Sequence, residues 1–383
     1  MLRFLTAGES HGKGLTAIIE GLPAGIPISE EFINENLKRR QGGYGRGGRM
    51  AIEQDNVEFL SGIRNGLTLG SPVSFIIKNK DWENWQEIMQ PEPGADLITK
   101  RVTRPRPGHA DLAGTIKYGF SDIRNSLERA SARETAARVA IGAIAGCLLK
   151  EFDIRLWGHV VQIGSLKCRA DYEKLNADLY KTSLYCTDPK ATQKMVALIE
   201  KARESGDSLG GIVEVVAINV PLGLGSHVHW DRRLDGRLAQ ALMSIPAIKG
   251  VEIGRGFDTA QLPGSQVHDE IYYDEIKGFY HRTNNSGGIE GGITNGEEII
   301  VRAAMKPIPT LYKPLKSIDM FTKEQELASV ERSDNCAVPA AAIVAAGVVS
   351  WEIAKAFMEK FPGDYLEEIK ESFSRYKSYL RQV

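Results

Sequence analysis

The chain of 383 residues has the composition of a folded globular protein and almost no net charge. Hydrophobic residues make up 42% of it and charged residues 25%, both within the usual range for globular domains. Since 48 basic residues oppose 49 acidic ones, no overall field attracts the chain to nucleic acid or to an anionic membrane. An anion site therefore has to come from local clusters of arginine.

The cysteines and the N-terminal segment carry no signal for a metal site or for secretion. No two of the four cysteines form a C-x-x-C pair, which argues against a zinc site or a redox motif. The N-terminal sequence MLRFLTAGESHG lacks the apolar segment of a signal peptide. The longest apolar stretch, residues 338–351, is shorter than a bilayer requires. We therefore expect reduced thiols, no metal, no membrane contact and a cytoplasmic location.

The first third of the chain contains two predicted strands and one predicted helix. Residues 15–22 and 72–78 have the composition and the boundaries of strands. A helix is predicted over residues 29–40, with Ser29 as the N-cap and basic residues in the last turn, where the helix dipole favours them. A glycine-rich segment, residues 41–50, follows this helix.

Two later segments, residues 131–152 and 338–361, are predicted to form helices rich in alanine and glycine. Ser131 and Glu134 fit a capping box at the start of the first helix, and Pro339 suits the first turn of the second. Small side chains allow helices to approach closely, so we expect these two helices to pack together at the centre of the protein.

The remaining pattern predicts a mixed fold. Strand-like segments at residues 211–220 and 297–303 would flank the helical layer, and the apolar spacing over residues 365–380 predicts a terminal helix. Strands and helices alternate irregularly, which favours the α+β class over a doubly wound α/β fold. No repeat or linker divides the sequence. We therefore predict a single domain over residues 1–383.

Two histidines lie in loops that contain glycine, His11 in GESHG (8–12) and His109 in RPRPGHAD (104–111). Imidazole takes up and releases protons near neutral pH. The prolines restrict the second loop to few conformations, and such a loop can present side chains to a ligand. Each histidine could instead have a structural role, but the two loops together favour a site.

The segment QGGYGRGGRM (41–50) is both glycine-rich and basic. Its glycines free the backbone to wrap around a ligand, and Arg40, Arg46 and Arg49 offer forked donors for carboxylate or phosphate. The segment could also be disordered, or act as a short RNA-binding element. No Walker motif follows it, which disfavours a nucleotide P-loop.

Two further segments combine arginine with acidic residues. In RASARET (129–135), Arg133 stands in the first helical turn, where the dipole disfavours it, so it needs an anionic partner. That partner could be Glu134 or a bound phosphate or carboxylate. In ERSD (331–334), Asp334 could form an ion pair at a helix cap or act as a base.

The segment MKPIPTLYKPLK (305–316) contains three prolines and three lysines. It is therefore stiff and cationic and is not expected to form a central strand. It could lie beside a ligand phosphate or cover a sheet edge. Taken together, the two histidines, the arginines and the stiff loops predict acid–base chemistry on a small polyanionic substrate.

The chain resembles the chorismate synthase family along nearly its whole length. Seven segments occur in the order of that family: GESHG, RRQGGYGRGGR, RPRPGHAD, RASARETAARVA, GGIVEV, MKPIPTLYKPL and ERSDNCAVPAA. The resemblance implies a β-α-β sandwich with central helices between two antiparallel sheets, assembled as a homotetramer.

The resemblance also implies the reaction. Members of the family remove phosphate from C3 and a hydrogen from C6 of 5-enolpyruvylshikimate-3-phosphate to give chorismate. The elimination has no net redox change but requires reduced FMN, which takes over the difficult electronic step.

Site residues carried over from the family fall into three groups. His11 would protonate the departing phosphate, His109 would stabilise the reduced flavin, and Asp334 would assist removal of the C6 proton. The predicted substrate ligands are Arg40, Arg46, Arg49, Arg133 and Arg332, of which Arg40 and Arg46 are also linked to NADPH. The predicted FMN contacts are Arg129, Ala130, Ser131, Pro246, Ala247, Gly291, Lys306, Pro307, Ile308, Pro309, Thr310 and Arg332.

Two positions depart from the family pattern, which puts two side-chain contacts to FMN in question. Ala130 stands where the family commonly has serine, so a hydroxyl contact is excluded there. Pro246 stands where many relatives have asparagine, so it offers no side-chain hydrogen bond.

Two other functions compete with this interpretation. An NADPH-dependent flavin reductase would explain the flavin contacts, but the sequence has no Rossmann fingerprint. We therefore expect a separate flavin reductase to supply reduced FMN, with NADPH as a possible direct reductant. An RNA-binding module would use the Arg/Gly segment and bind in a salt-dependent way, but it leaves the two histidine loops unexplained.

Overall fold

The computed structural model describes residues 2–47, 53–275 and 278–383. The described strands are β1 (Arg3–Ala7), β2 (Gly14–Glu20), β3 (Glu58–Ser61), β4 (Ile63–Arg64), β5 (Leu67–Thr68), β6 (Val73–Lys78), β7 (Arg155–Ile163), β8 (Leu166–Lys167), β9 (Gly211–Ile218), β10 (Ile248–Ile253), β11 (Ile271–Asp274), β12 (Gly278–His281), β13 (Ile289–Glu290), β14 (Ile293–Thr294), β15 (Ile299–Met305), β16 (Lys316–Ile318) and β17 (Gln325–Leu327). The described helices are α1 (Glu30–Gln41), α2 (Gln86–Met89), α3 (Asp111–Tyr118), α4 (Arg124–Ala130), α5 (Thr135–Lys150), α6 (Pro189–Glu204), α7 (Leu234–Met243), α8 (Gly264–Val267), α9 (Val338–Lys360) and α10 (Leu366–Leu380).

The first sheet has the order β1-β2-β6-β3, and each pair is antiparallel. Strand β2 alternates between its two faces, as a sheet covered on one side does. Leu15, Ala17 and Ile19 are buried, whereas Ile18 is 51% exposed. The buried residues face the helices, and this side of the sheet forms half of the main core.

The second sheet has the order β10-β15-β9-β7-β8 and is also antiparallel. Strand β9 is buried continuously from Val213 to Ala217, because both faces of this sheet are covered. Leu175 and Leu179 pack on Val216 from one side. Val213, Val215 and Ala217 belong to the main core on the other.

Helices α5 and α9 pack against each other between the two sheets. At their crossing the helices are so close that a Cβ built on Gly142 would lie 2.2 Å from the carbonyl oxygen of Gly347. The Ser350 hydroxyl donates a hydrogen bond of 2.9 Å to the Gly142 carbonyl. On the far side of α9, a Cβ on Gly158 of β7 would lie 2.1 Å from the Ala342 carbonyl oxygen. The predicted α+β sandwich with paired central helices is confirmed.

Helix α9 is long and apolar enough to cross a membrane, contrary to the expectation from its apolar stretch alone. The helix has 23 residues, and 78% of its most apolar window is buried inside the protein. Burial therefore identifies it as a core helix, because its apolar surface is already covered by α5 and the second sheet.

The predicted helix boundaries hold except at the start of α5. Ser29 caps α1, and its hydroxyl accepts a hydrogen bond of 3.1 Å from the Phe32 N–H. The helix predicted from residue 131 begins instead with a 3-10 turn, Ala132–Glu134, and α5 starts at Thr135. Ser131 caps this turn and accepts a hydrogen bond from the Arg133 N–H.

Replacement of Gly142 by alanine should destabilise the protein, because the added methyl group would collide with the backbone of α9. Overpacking of this kind costs about 1–3 kcal/mol. Gly236 of α7 is the matched control, since nothing lies within 4 Å of the place that an alanine Cβ would take there. Gly236→Ala should be neutral or stabilise by up to ~1 kcal/mol. Urea unfolding of both variants measures the difference, and equal stability of the two would contradict close helix packing.

Candidate active site

Within the described part of the chain, one cavity collects most of the predicted site residues. Its volume is about 500 Å³, within the range of small-molecule sites. It lies where α5 and α9 begin, and strand ends and loops form the other walls. The predicted residues that line it are His11, Arg40, Arg46, His109, Ala130, Ser131, Arg133, Pro246, Ala247, Lys306, Ile308, Pro309, Thr310, Arg332 and Asp334.

Four predicted residues are not among those lining this cavity. Arg129 is exposed and donates hydrogen bonds to the backbone of Thr6 and Gly8. Gly291 lies between β13 and β14, and Pro307 is exposed on the chain that follows β15. Arg49 lies outside the described residues. Their predicted contacts stay predictions.

The glycine-rich segment, as far as residue 47, packs against the chain that leads into α9. A Cβ on Gly45 would lie 2.9 Å from the Cβ of Cys336, and a Cβ on Gly47 would lie 2.5 Å from the Ser333 carbonyl oxygen. Gly45 has a φ of 93°, a conformation that glycine adopts without strain. These glycines therefore allow two backbone segments to meet, a role that the sequence interpretation did not include.

This contact brings Arg46 to Asp334. The Arg46 Nη1 lies 2.8 Å from the Asp334 Oδ2, and the Gly47 N–H donates a 2.6 Å hydrogen bond to the Oδ1 of the same carboxylate. Both residues line the cavity. Of the two interpretations of Asp334, the ion pair is present, and the carboxylate also faces the site.

Arg40 and Arg133 are buried side by side and share the carboxylate of Asp55. Arg133 Nη1 donates to Asp55 at 2.6 Å, and Arg40 Nη1 lies 3.4 Å from the other oxygen of the same group. Arg133 Nε also donates to Asn79 at 2.8 Å. The anionic partners of Arg133 are therefore Asp55 and, at 3.7 Å, Glu53. The alternative that Glu134 fills this role is wrong, because the Arg133 side chain turns towards the segment before β3.

Burial lowers the pKa of Arg40 to about 10, and the neighbouring positive charges of Arg133 and Arg46 act in the same direction. The negative charge of Asp55 opposes this shift. The guanidinium group is still protonated at neutral pH. The cavity thus keeps two cations in a place where water screens them poorly.

His11 is held by a buried carboxylate that the sequence interpretation missed. Glu128 accepts hydrogen bonds from the His11 backbone N–H at 2.7 Å and from the ring Nδ1 at 2.8 Å. The indole of Trp85 stacks on the imidazole, with ring centroids 4.0 Å apart. His11 is 8% exposed, so its ring has little freedom to turn.

His109 forms a similar pair within its own loop. Its Nδ1 bonds to Asp111, which also accepts hydrogen bonds from the backbone N–H, Nε and Nη2 of Arg106. Although burial alone would raise the pKa of Asp111, the bonds from His109 and Arg106 hold it below the usual range. Arg106 Nη1 also donates to Thr310 at 2.9 Å, which joins this loop to the segment after β15.

That proline-rich segment (306–315) is irregular, as predicted, and forms one wall of the cavity. Lys306 donates to the Gly108 carbonyl with its ammonium group and to the Ala247 carbonyl, at 2.9 Å, with its backbone N–H. Ala247 has a φ of 70°, which costs an alanine about 1–2 kcal/mol. The strained residue presents its carbonyl group to the proline-rich segment.

The cavity combines positive charge with an apolar wall. Its described lining has six cationic side chains against two carboxylates, Glu331 and Asp334. Small apolar side chains at the start of α9, Ala337, Ala340 and Ala341, line it on one side. Such a site suits a flat apolar group together with several anionic groups.

Sequence reasoning missed several groups that hold these side chains. Arg106 and Asp111 stand inside the RPRPGHAD motif, and Glu128 stands four residues after Arg124, a spacing typical of ion pairs on one helix face. Those three had a signal in the sequence. Trp85 and Asp55 had none, because only folding brings them to the site.

Asp111→Asn should destabilise the protein near neutral pH, because it leaves the buried Arg106 without its counter-charge. Breaking a buried pair costs about 3–5 kcal/mol. The folded-state pKa of Asp111 lies below the ordinary value of 3.8. Its contribution is therefore present above pH 4 and is lost as the pH falls through the folded-state pKa.

Urea unfolding at several pH values measures this difference. Asp231→Asn is the control, since Asp231 pairs with His229 on the surface, where ion pairs contribute little. A wild-type advantage over Asp111→Asn that did not shrink below pH 4 would contradict the assignment.

Comparison with known proteins agrees with the resemblance. The family model "Chorismate synthase" matches residues 2–358. The chorismate synthases of Moorella thermoacetica and Desulforamulus reducens are 63% and 62% identical to this chain, and each alignment covers 100% of both sequences. That of Geobacter metallireducens is 60% identical over the same full coverage.

A solved structure supports the same grouping. A crystal structure of a chorismate synthase is 46% identical, covers 100% of this chain and 99% of its own, and superposes with a TM-score of 0.81. The chain therefore belongs to the chorismate synthase family.

Proposed function

We propose that this protein is a chorismate synthase, a carbon–oxygen lyase of the shikimate pathway and aromatic amino acid biosynthesis. It would convert 5-enolpyruvylshikimate-3-phosphate to chorismate by anti-1,4-elimination of phosphate. The observation that carries the proposal is that His11, His109 and a cluster of arginines line one cavity of about 500 Å³. The substrate has a phosphate and two carboxylates, so it needs several cations and a proton donor.

Substrate binding would fall to Arg40, Arg46, Arg133 and Arg332, with Arg49 as a further predicted ligand. Asp55 pairs with Arg40 and Arg133, Asp334 pairs with Arg46, and Asp81 pairs with Arg332 at 2.7 Å. Such groups are oriented before the ligand arrives, which lowers the cost of binding. Arg133 Nη2 makes no hydrogen bond within the described residues and lies 3.7 Å from the buried Glu53 carboxylate, which adds to the charges that hold this guanidinium in place.

The lining also fits reduced FMN. The alanines at the start of α9 leave room for a flat ring, and Lys306 supplies charge for a phosphate. We propose FMN contacts from Ala130, Ser131, Pro246, Ala247, Lys306, Ile308, Pro309, Thr310 and Arg332. Because Ala130 and Pro246 lack side-chain donors, any hydrogen bond to the flavin at these positions would come from a backbone carbonyl or, at Ala130, a backbone N–H.

When bound, reduced FMN supplies electron density transiently to the elimination and is recovered without net redox change. His11 would give a proton to the phosphate as the C3–O bond breaks, because a protonated phosphate is a better leaving group. His109, held by Asp111, to which Arg106 also donates, would stabilise the negative charge of the bound reduced cofactor. His11 would thus act on the leaving group, and His109 would act on the cofactor.

Asp334 would assist removal of the C6 proton. Its carboxylate accepts one hydrogen bond from Gly47 and pairs with Arg46, and a carboxylate has about four acceptor positions. These two contacts fix the orientation of the carboxylate and leave other acceptor positions for the C6 proton. The same Arg46 would then bind substrate and orient the base.

We propose that residues 1–383 form a single domain and that the protein is a cytoplasmic homotetramer with no nucleic-acid or membrane partner. One main core links both sheets and the central helices, which supports the single domain. Leu5 and Ile18, cross-strand neighbours on the outer face of the first sheet, are 76% and 51% exposed. Such apolar surface suits subunit contact.

The source of reducing equivalents decides between two versions of this function. We expect phosphate release from the substrate under anaerobic conditions with dithionite-reduced FMN, and none with NADPH and oxidised FMN. That result fits a separate flavin reductase. Release with NADPH and oxidised FMN would show that the protein reduces its own flavin. No release in any condition from folded protein would contradict the proposed function.

His11→Asn should lower the turnover number by about 100-fold or more, the usual contribution of a proton donor. FMN affinity, measured by fluorescence titration, should change little, because the role assigned to His11 concerns the leaving group. His229→Asn, in an exposed histidine–aspartate pair, is the control and should keep wild-type turnover. Wild-type turnover in His11→Asn would remove His11 from the mechanism.

A further inference from the structure

Glu128 is a fully enclosed carboxylate that touches the proposed proton donor. It is 2% exposed. Its Oε2 accepts the His11 backbone N–H at 2.7 Å, while its Oε1 accepts the His11 Nδ1 at 2.8 Å and Arg124 Nη1 at 3.1 Å. One side chain therefore fixes both the backbone and the ring of His11.

The carboxylate is ionised at neutral pH. Burial alone would raise the pKa of Glu128, but the hydrogen bonds from His11 and the charge of Arg124 outweigh it and hold the pKa below its ordinary value. An ionised carboxylate can only accept hydrogen bonds. The Nδ1 of His11 must therefore carry a hydrogen, and Nε2 is the ring nitrogen that Glu128 leaves for the cavity.

Two further contacts prevent the ring from turning over. Trp85 stacks on the imidazole at an interplanar angle of 24°, and the Arg124 guanidinium lies 4.9 Å from the Trp85 ring centroid. Arg124 also donates to Glu331, which lines the cavity, at 3.1 Å. The ring of His11 is thus restrained at its edge by Glu128 and on its face by Trp85.

We propose that Glu128 is the positioning residue for His11: it fixes the ring in the tautomer with hydrogen on Nδ1, so that only Nε2 exchanges protons with the substrate. The inference rests on the proposed function. Starting with hydrogen on both ring nitrogens, His11 gives the Nε2 proton to the phosphate oxygen, and the electron pair of the C3–O bond leaves with the phosphate. The C6 proton leaves with the help of Asp334, and its bonding electrons stay in the ring of the substrate. The ring ends neutral with hydrogen on Nδ1, and Glu128 stays ionised.

The chain contains a matched pair away from the cavity. His159 Nε2 bonds to Glu214 Oε1 at 2.9 Å, both residues are fully buried, and Arg302 donates to the same carboxylate at 2.7 Å. Neither His159 nor Glu214 lines the cavity. Glu214→Gln therefore removes the same charge from the same kind of histidine–glutamate–arginine contact without touching the site.

The direct test is nitrogen-15 NMR of the ligand-free protein with labelled histidine, where ring nitrogens with and without hydrogen have distinct shifts. Under conditions in which the ring is neutral, wild-type His11 should show hydrogen on Nδ1 alone. Glu128→Gln should show both tautomers, because an amide offers a donor as well as an acceptor. A wild-type His11 with hydrogen on Nε2 alone overturns the inference, and it does so without any variant.

Kinetics of phosphate release with reduced FMN give the second readout. Glu128→Gln should lower kcat at least tenfold and leave the KM for substrate within about threefold, whereas Glu214→Gln should keep wild-type kcat even if its stability falls. Glu128→Asp, which keeps the charge, should restore hydrogen on Nδ1. Unchanged kcat and unchanged tautomer in folded Glu128→Gln overturn the inference. Failure of the wild-type protein to release phosphate would instead overturn the proposed function, and the NMR result on His11 would still stand.

Discussion

The close packing of α5 on α9 is the constraint on which the rest of the structure depends. Gly142 and Gly347 let the two backbones touch, and both helices begin at the same cavity, with Thr135 and Ala337 in its lining. The positive ends of two helix dipoles therefore face one site, and anions are favoured there. A side chain at the crossing would separate the helices and the residues that precede them.

Buried carboxylates hold the cationic and imidazole groups of the site in place. Asp55 binds Arg40 and Arg133, Asp111 binds His109, and Glu128 binds His11. Burying charge is costly unless it is paired and hydrogen-bonded. Because the protein itself supplies the carboxylate in each of these pairs, the arginines and histidines of the cavity are oriented without a ligand. A site that is oriented in advance spends little binding energy on its own reorganisation.

The loops around the cavity are tied to one another as well as to the ligand site. Arg106 joins the histidine loop to Thr310, Lys306 joins the proline-rich segment to Ala247, and Asp334 joins the start of α9 to the glycine-rich segment. Each link connects segments far apart in sequence. A change in the position of one loop should therefore shift the others, because these hydrogen bonds link them.

The sequence by itself determined the class of fold, the family and the approximate bounds of four helices and four strands. It also predicted many of the side chains that line the cavity. Helices and strands repeat over a few residues, so the spacing of apolar and small residues is enough to predict them. Arg106 and Asp111 stand within one short motif, RPRPGHAD, so their contact is also local in sequence. Only the tertiary structure decided that Asp55 pairs with Arg133, that Trp85 and Glu128 restrain His11, and that glycines 45 and 47 make room for the backbone of residues 333–336. These contacts join residues up to 291 positions apart. Their energies depend on burial and direction, which composition and spacing do not encode.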